Sequence, residues 1–132
     1  MQWTGGCLCG RRRYTFDAEL GTVSLCHCNM CKKATGGAFA LFARITQDSL
    51  RWTDQPPATY RSSPIATRGF CPDCGSPLYL SYDNEADIHL TIGSFDHPEK
   101  VPRPDSHYGI ESRLAWVDCW AGLPGEPTSE TF

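Results

Sequence analysis

The 132-residue chain carries 12 Lys and Arg against 15 Asp and Glu, a formal net charge of −3. That balance argues against a non-specific nucleic-acid binder, which presents a basic face, and no apolar run is long enough to span a bilayer as a helix. Hydrophobic content of 40% and charged content of 20% are ordinary for a globular chain, so we expect one domain over residues 1–121 and a polar tail over 122–132.

In chain order, Met1-Gln2-Trp3-Thr4-Gly5-Gly6 lacks the basic and apolar regions of a secretory signal, and a cytoplasmic location is expected. Gly5-Gly6 reads as a turn before Cys7-Leu8-Cys9-Gly10. Residues 11–16 alternate as a strand with Tyr14 and Phe16 inward, which leaves Arg11-Arg12-Arg13 as strand arginines rather than a nucleic-acid patch. Residues 22–25 form a second strand that runs into Cys26-His27-Cys28-Asn29-Met30-Cys31. Residues 29–34 suit a short helical turn stopped at Gly36-Gly37. Residues 38–43 are too apolar to be half exposed and read as a buried strand. Further strands are expected at 50–53, 58–61 and 66–70, then a hairpin of 78–82 and 87–92, and a last strand near 107–111. Short strands punctuated by turns, with little helix, mean an all-β domain.

Eight cysteines in a chain without an export signal read as metal ligands rather than a disulfide framework; export would reopen the disulfide reading. In Cys71-Pro72-Asp73-Cys74-Gly75 a thiol pair closes a tight knuckle whose backbone N–H groups can stabilise thiolates. Cys7 and Cys9 supply the matching pair, which leaves Cys26, Cys28 and Cys31 for a second metal. This partition keeps every motif whole. It predicts two zinc ions, one in a closed four-thiolate site of structural role and one in a three-thiolate site with a vacant corner. Extended backbone over 26–28 turns both sulfurs to one face and His27 to the other. Closure of the second site by His27, His107 or Cys119 would instead make it structural. Iron also accepts four thiolates. Three thiolates on a divalent ion leave a net −1 site, poorly suited to activating water but well matched to an incoming thiol.

Gly5-Gly6-Cys7-Leu8-Cys9-Gly10, Cys26-His27-Cys28 with Cys31-Lys32-Lys33-Ala34-Thr35-Gly36, and Phe70-Cys71-Pro72-Asp73-Cys74-Gly75-Ser76-Pro77-Leu78 resemble the glutathione-dependent formaldehyde-activating enzyme family. Gly93-Ser94, His107 and Glu111-Ser112-Arg113-Leu114 fit the same pattern. The resemblance implies a β-tent zinc fold of short antiparallel strands, structural zinc on Cys7, Cys9, Cys71 and Cys74, and a labile functional zinc on Cys26, Cys28 and Cys31. It further implies a carbon–sulfur lyase acting on glutathione, or another small thiol, and its aldehyde adduct, as in formation of S-hydroxymethylglutathione. Gly109 departs from that pattern, which places a bulky apolar residue after His107-Tyr108.

Lys32, Lys33, Arg61, Arg68 and Arg113 are candidates for a substrate carboxylate, and His107 for a proton shuttle or reserve ligand. Cys119 reads as a free buried thiol, and Trp3, Trp52, Trp116 and Trp120 as core or pocket walls. The partner expected is a small-molecule thiol, with no nucleic acid and no membrane, on a monomer or homodimer. The rival reading is a non-catalytic, zinc-stabilised binding module with both metals structural.

Overall fold

The computed structural model describes residues 1–118 and 120–130. Among these residues the chain is mostly strand, with one α-helix and a few single 3-10 turns. Strands β1 (Gln2–Gly6), β2 (Arg13–Asp17) and β5 (Arg51–Trp52) form a small antiparallel sheet in the order β1-β2-β5. The larger sheet holds β3 (Val23–Cys26), β4 (Ala40–Thr46), β6 (Ala58–Ser63), β7 (Ala66–Phe70), β8 (Pro77–Tyr82), β9 (Asp87–Thr91) and β10 (Ser106–Tyr108). Its order is β10-β3-β4-β9-β8-β7-β6. All neighbours are antiparallel except β10, which runs parallel to β3 with Tyr108 beside Cys26. The helix α1 (Asn29–Thr35) follows β3 and stops before Gly36.

Period-two alternation builds the core. Val23, Ala43, Ile45, Ile88 and Leu90 point from one face of the large sheet onto Trp3, Tyr14 and Phe16 of the small one. Phe95 plugs the aromatic layer edge-on, its ring centroid 5.5 Å from Trp3 and 6.0 Å from Phe16. The opposite face of the large sheet carries Cys26, Phe42, Ala66 and Leu80, a second, smaller apolar cluster around thiols. A sheet with both faces occupied explains why residues such as Ala40 to Ala43 lack polar alternation.

The all-β expectation agrees with this architecture, and several boundaries move. Gly5-Gly6 belongs to β1 rather than to a turn. A Cβ on Gly5 would sit 2.3 Å from the Tyr14 hydroxyl, so the missing side chain lets that ring close over the strand. The last strand ends at Tyr108, and Ile110–Ser112 coils into a 3-10 turn. Trp3 is buried and Trp52 packs against the core, whereas Trp116 and Trp120 are exposed. No helix among the described residues is long and apolar enough to cross a membrane.

Candidate metal centres

β3 and α1 deliver the central thiols. Cys26 ends β3 on the face opposite Val23 and packs with Ala40, Phe42 and Leu80. Cys28 is the helix N-cap: its backbone is extended (φ −62°, ψ 152°) and its sulfur accepts the Cys31 N–H at 3.3 Å. One helical turn then returns Cys31 to the group. The three Sγ atoms lie within 4.8 Å of one another, with Cys26 and Cys28 3.5 Å apart.

The second cluster gathers distant loops. Cys7 and Cys9 sit between β1 and β2, Cys71 and Cys74 between β7 and β8, and all four Sγ atoms lie within 4.8 Å. Cys7 and Cys9 are 3.5 Å apart, Cys9 and Cys71 3.7 Å. The Arg12 N–H donates to Cys7 at 3.3 Å, and Ser76 Oγ lies 3.2 Å from Cys74. The Arg12 side chain pairs with Asp73 inside the knuckle, and the Leu8 N–H donates to Ser76 Oγ at 2.9 Å.

Both donor sets fit a thiophilic metal. A tetrahedral centre with metal–sulfur bonds of about 2.3 Å has sulfurs about 3.8 Å apart, close to the spacings above. The thiols are free, not cross-linked. Hydrogen bonding from Cys26, joined by Arg68 and Cys28, brings the Cys31 thiol down to about 5 against its burial. Its bond to Cys31 pushes the Cys26 thiol strongly upward, aided by burial. The Ser76 hydroxyl and nearby backbone N–H groups likewise lower Cys74 to about 5. Each cluster thus favours thiolate, the ligand form of cysteine, at some of its sulfurs and disfavours it at another. Cys31 stands against Cys26, and Cys7 and Cys74 against Cys9, whose thiol contacts push it up to about 11.

His27 leaves the strand on the side away from the sulfurs. Fully buried, it sets Nε2 2.8 Å from Nδ1 of His107 and stacks on that ring. The backbone N–H of His27 donates to the Tyr108 carbonyl at 2.8 Å. Burial holds the His27 imidazole below its ordinary pKa, with the His107, Arg113 and Lys32 charges adding to the effect. Phe39 packs against His27, and Trp120 stacks on Phe39.

A cleft of about 520 Å³ opens along the thiol-bearing face, walled by Cys26, Phe42, Leu80, Tyr82, His89 and Tyr108. Burial, with the charges of Cys31 and Tyr108, pushes the Tyr82 phenol up to about 12. A larger cleft of about 620 Å³ lies beside Cys7, Arg13 and Asp96 and touches none of the three central thiols.

The charged candidates scatter. Lys32 Nζ donates to the Ser112 carbonyl at 2.7 Å, tying α1 to the 3-10 turn at Ile110–Ser112, while Lys33 is exposed. Arg61 is engaged with both oxygens of Asp83 and with the Pro64 carbonyl. Arg113 is exposed, 3.8 Å from Asp118. The imidazole of His107 serves His27. Cys119 lies outside the described residues. Gly109 lies in the left-handed region at φ 70°, where a Cβ would come within 2.9 Å of the Cys28 nitrogen; a bulky residue there would displace a candidate ligand.

Arg68 stands apart from the other arginines. It is 6% exposed, on the sheet face that holds Leu80, and its Nη2 donates to Cys31 Sγ at 3.4 Å. As one of several arginines in the sequence it carries no mark of this role. The signal was its parity with Ala66 in a strand whose partners had to be known first.

Against known proteins, a family model described as glutathione-dependent formaldehyde-activating enzyme matches residues 2–111. A protein of Schizosaccharomyces pombe, named an uncharacterized lyase, is 31% identical over 83 residues, which cover 63% of this chain and 60% of that protein. The chain thus spans less than two thirds of that relative's length. The crystal structure of a Rhodobacter sphaeroides protein superposes with a TM-score of 0.62 at 18% identity, covering 80% of this chain and 98% of the other. At that identity the likeness is one of fold.

Proposed function

Since the chain belongs to the glutathione-dependent formaldehyde-activating enzyme family, we propose that it is a zinc-dependent enzyme of the carbon–sulfur lyase type. Its substrate would be glutathione, or a similar small thiol, with an aldehyde. One observation carries the reading: the three converging thiols form part of the wall of a cleft of about 520 Å³ through Cys26. Cys7, Cys9, Cys71 and Cys74 would hold one zinc ion, and Cys26, Cys28 and Cys31 a second. When bound at the three thiolates, zinc supplies a soft Lewis acid that holds an external thiol as its thiolate.

The overall change is balanced without a redox partner. The thiol sulfur bonds to the aldehyde carbon, the carbonyl π bond breaks, and the thiol proton passes to the new hydroxyl oxygen. The chain positions both reactants. Phe42 and Leu80 provide an apolar wall, and the Tyr82 hydroxyl, protonated at neutral pH, is a donor for the carbonyl oxygen. The His27–His107 pair braces β10 against the end of β3, which keeps Tyr108 beside Cys26.

The test is kinetic. Wild type should accelerate formation of the glutathione–formaldehyde adduct, and Cys28→Ser should fall to near the uncatalysed rate. A wild type with no acceleration would reject this reaction and leave a zinc-stabilised binding module.

A further inference from the structure

Three thiolates around a divalent ion sum to −1, and that charge lies in an apolar setting of Ala40, Phe42, Ala66 and Leu80. A buried charge is costly unless an opposite charge meets it. A guanidinium, in turn, stays charged in any protein environment. Arg68 is 6% exposed, and among the described residues no carboxylate pairs with it. Its Nη2 donates to Cys31 Sγ at 3.4 Å, while no protein group accepts from its buried Nε. The buried guanidinium and the buried Cys31 sulfur thus have each other as partners, although Cys28 is half-buried and Cys26 faces the cleft.

The four-thiol cluster is built differently. Its neighbouring arginine, Arg12, is neutralised by Asp73 and reaches Cys7 through its backbone N–H. Cys9 in that cluster is exposed, so water can answer the remaining charge.

We infer that Arg68 is the positioning residue of the three-thiolate centre, its buried guanidinium supplying the charge that keeps a divalent metal bound there. This rests on reading the three thiols as a metal centre. Without the guanidinium the loaded centre keeps an unanswered negative charge beside buried Cys31, whereas metal-free thiols can shed theirs by taking up a proton, so the equilibrium moves toward release. The four-thiolate centre is untouched.

The experiment compares zinc binding by wild type, Arg68→Met, Arg68→Gln and Arg68→Lys in graded competition with a chromophoric chelator. Cobalt(II) substitution adds the thiolate-to-metal charge-transfer band as a readout for each centre. Wild type should bind two ions per chain. In Arg68→Met and Arg68→Gln one ion should stay as tightly held as in wild type, while the other weakens about 10- to 100-fold. Arg68→Lys, which keeps the charge, should recover most of that loss. Should Arg68→Met not fold, Arg68→Gln and Arg68→Lys decide the matter. Two ions of unchanged affinity in the neutral variants would overturn the role of Arg68 alone, as would parallel weakening of both centres. A wild type that binds a single ion would overturn the metal reading of the three thiols, and this inference with it.

Discussion

At the scale of single residues, Gly109 and Asp96 carry consequences that their sequence neighbourhoods do not announce. Gly109 combines φ of 70° with backbone contact to Cys28, so a side chain meets both strain and a ligand-bearing segment. Gly109→Ala should destabilise the fold by about 1–3 kcal/mol and should also reduce metal content at the three-thiol centre. Urea unfolding and metal-to-protein ratios check both halves; a stable variant with full metal would show that the turn adapts. Asp96 receives the Arg13 guanidinium and the Thr4 hydroxyl, the latter at 2.6 Å. The Arg13 bond first, then Thr4, holds its carboxyl down at about 2 from an ordinary 3.8. A depressed carboxyl stabilises the folded state above the unfolded pKa, and that stability fades as pH falls through the folded one. With solvent access to the pair the contribution is about 1 kcal/mol. Asp96→Asn should lose that amount at pH 7, and the gap between variant and wild type should close between about pH 4 and 2. A gap unchanged across that range would remove the ion pair as its cause.

Among the elements, α1 shows one cysteine in two trades. Cys28 is both a candidate ligand and the N-cap whose sulfur accepts from Cys31 N–H. Serine caps helices well, whereas alanine cannot accept. In metal-free protein, Cys28→Ser should therefore be about 1 kcal/mol more stable than Cys28→Ala, while both lose the second metal equally. Equal stabilities by urea titration would mean that the sulfur contact does not cap the helix. The end of this helix was legible in the sequence because its signal is local, the Gly36-Gly37 stop, whereas Cys28 as its cap was not. The alternating strands and the partition of thiols by motif were legible for the same reason. The position of β10 was not, since parallel pairing of Tyr108 with Cys26 joins residues far apart in the chain. Nor was Arg68, whose burial follows from cross-strand neighbours such as Leu80 rather than from anything adjacent to it. The glycines at 5 and 6 misled because a strand that accommodates close neighbours, the Tyr14 ring at Gly5 and the Arg12 carbonyl at Gly6, looks, in sequence, like a turn.

Across the whole molecule, the two clusters differ in what they tie together. Cys26, Cys28 and Cys31 lie within one strand–helix junction, so a metal there constrains few residues. The other cluster joins the β1–β2 loop of the small sheet to the β7–β8 loop of the large one, with 62 positions separating Cys9 from Cys71. Closing a loop of that length removes about 4 kcal/mol of unfolded-state entropy in the cross-link picture, and it adds to the Arg12–Asp73 and Leu8–Ser76 contacts at the same seam. Cys74→Ser should then cost much more stability than Cys31→Ser, lowering the unfolding midpoint roughly 10 °C further. A strong chelator added to wild type should reproduce that larger drop, and it should add little to Cys74→Ser, which has already lost the clamp. Calorimetry of the variants with and without chelator makes the comparison directly. Equal midpoints for Cys74→Ser and Cys31→Ser would mean that the sheets are held by the aromatic layer of Trp3, Tyr14, Phe16 and Phe95 alone, with the four thiols adding nothing to their union.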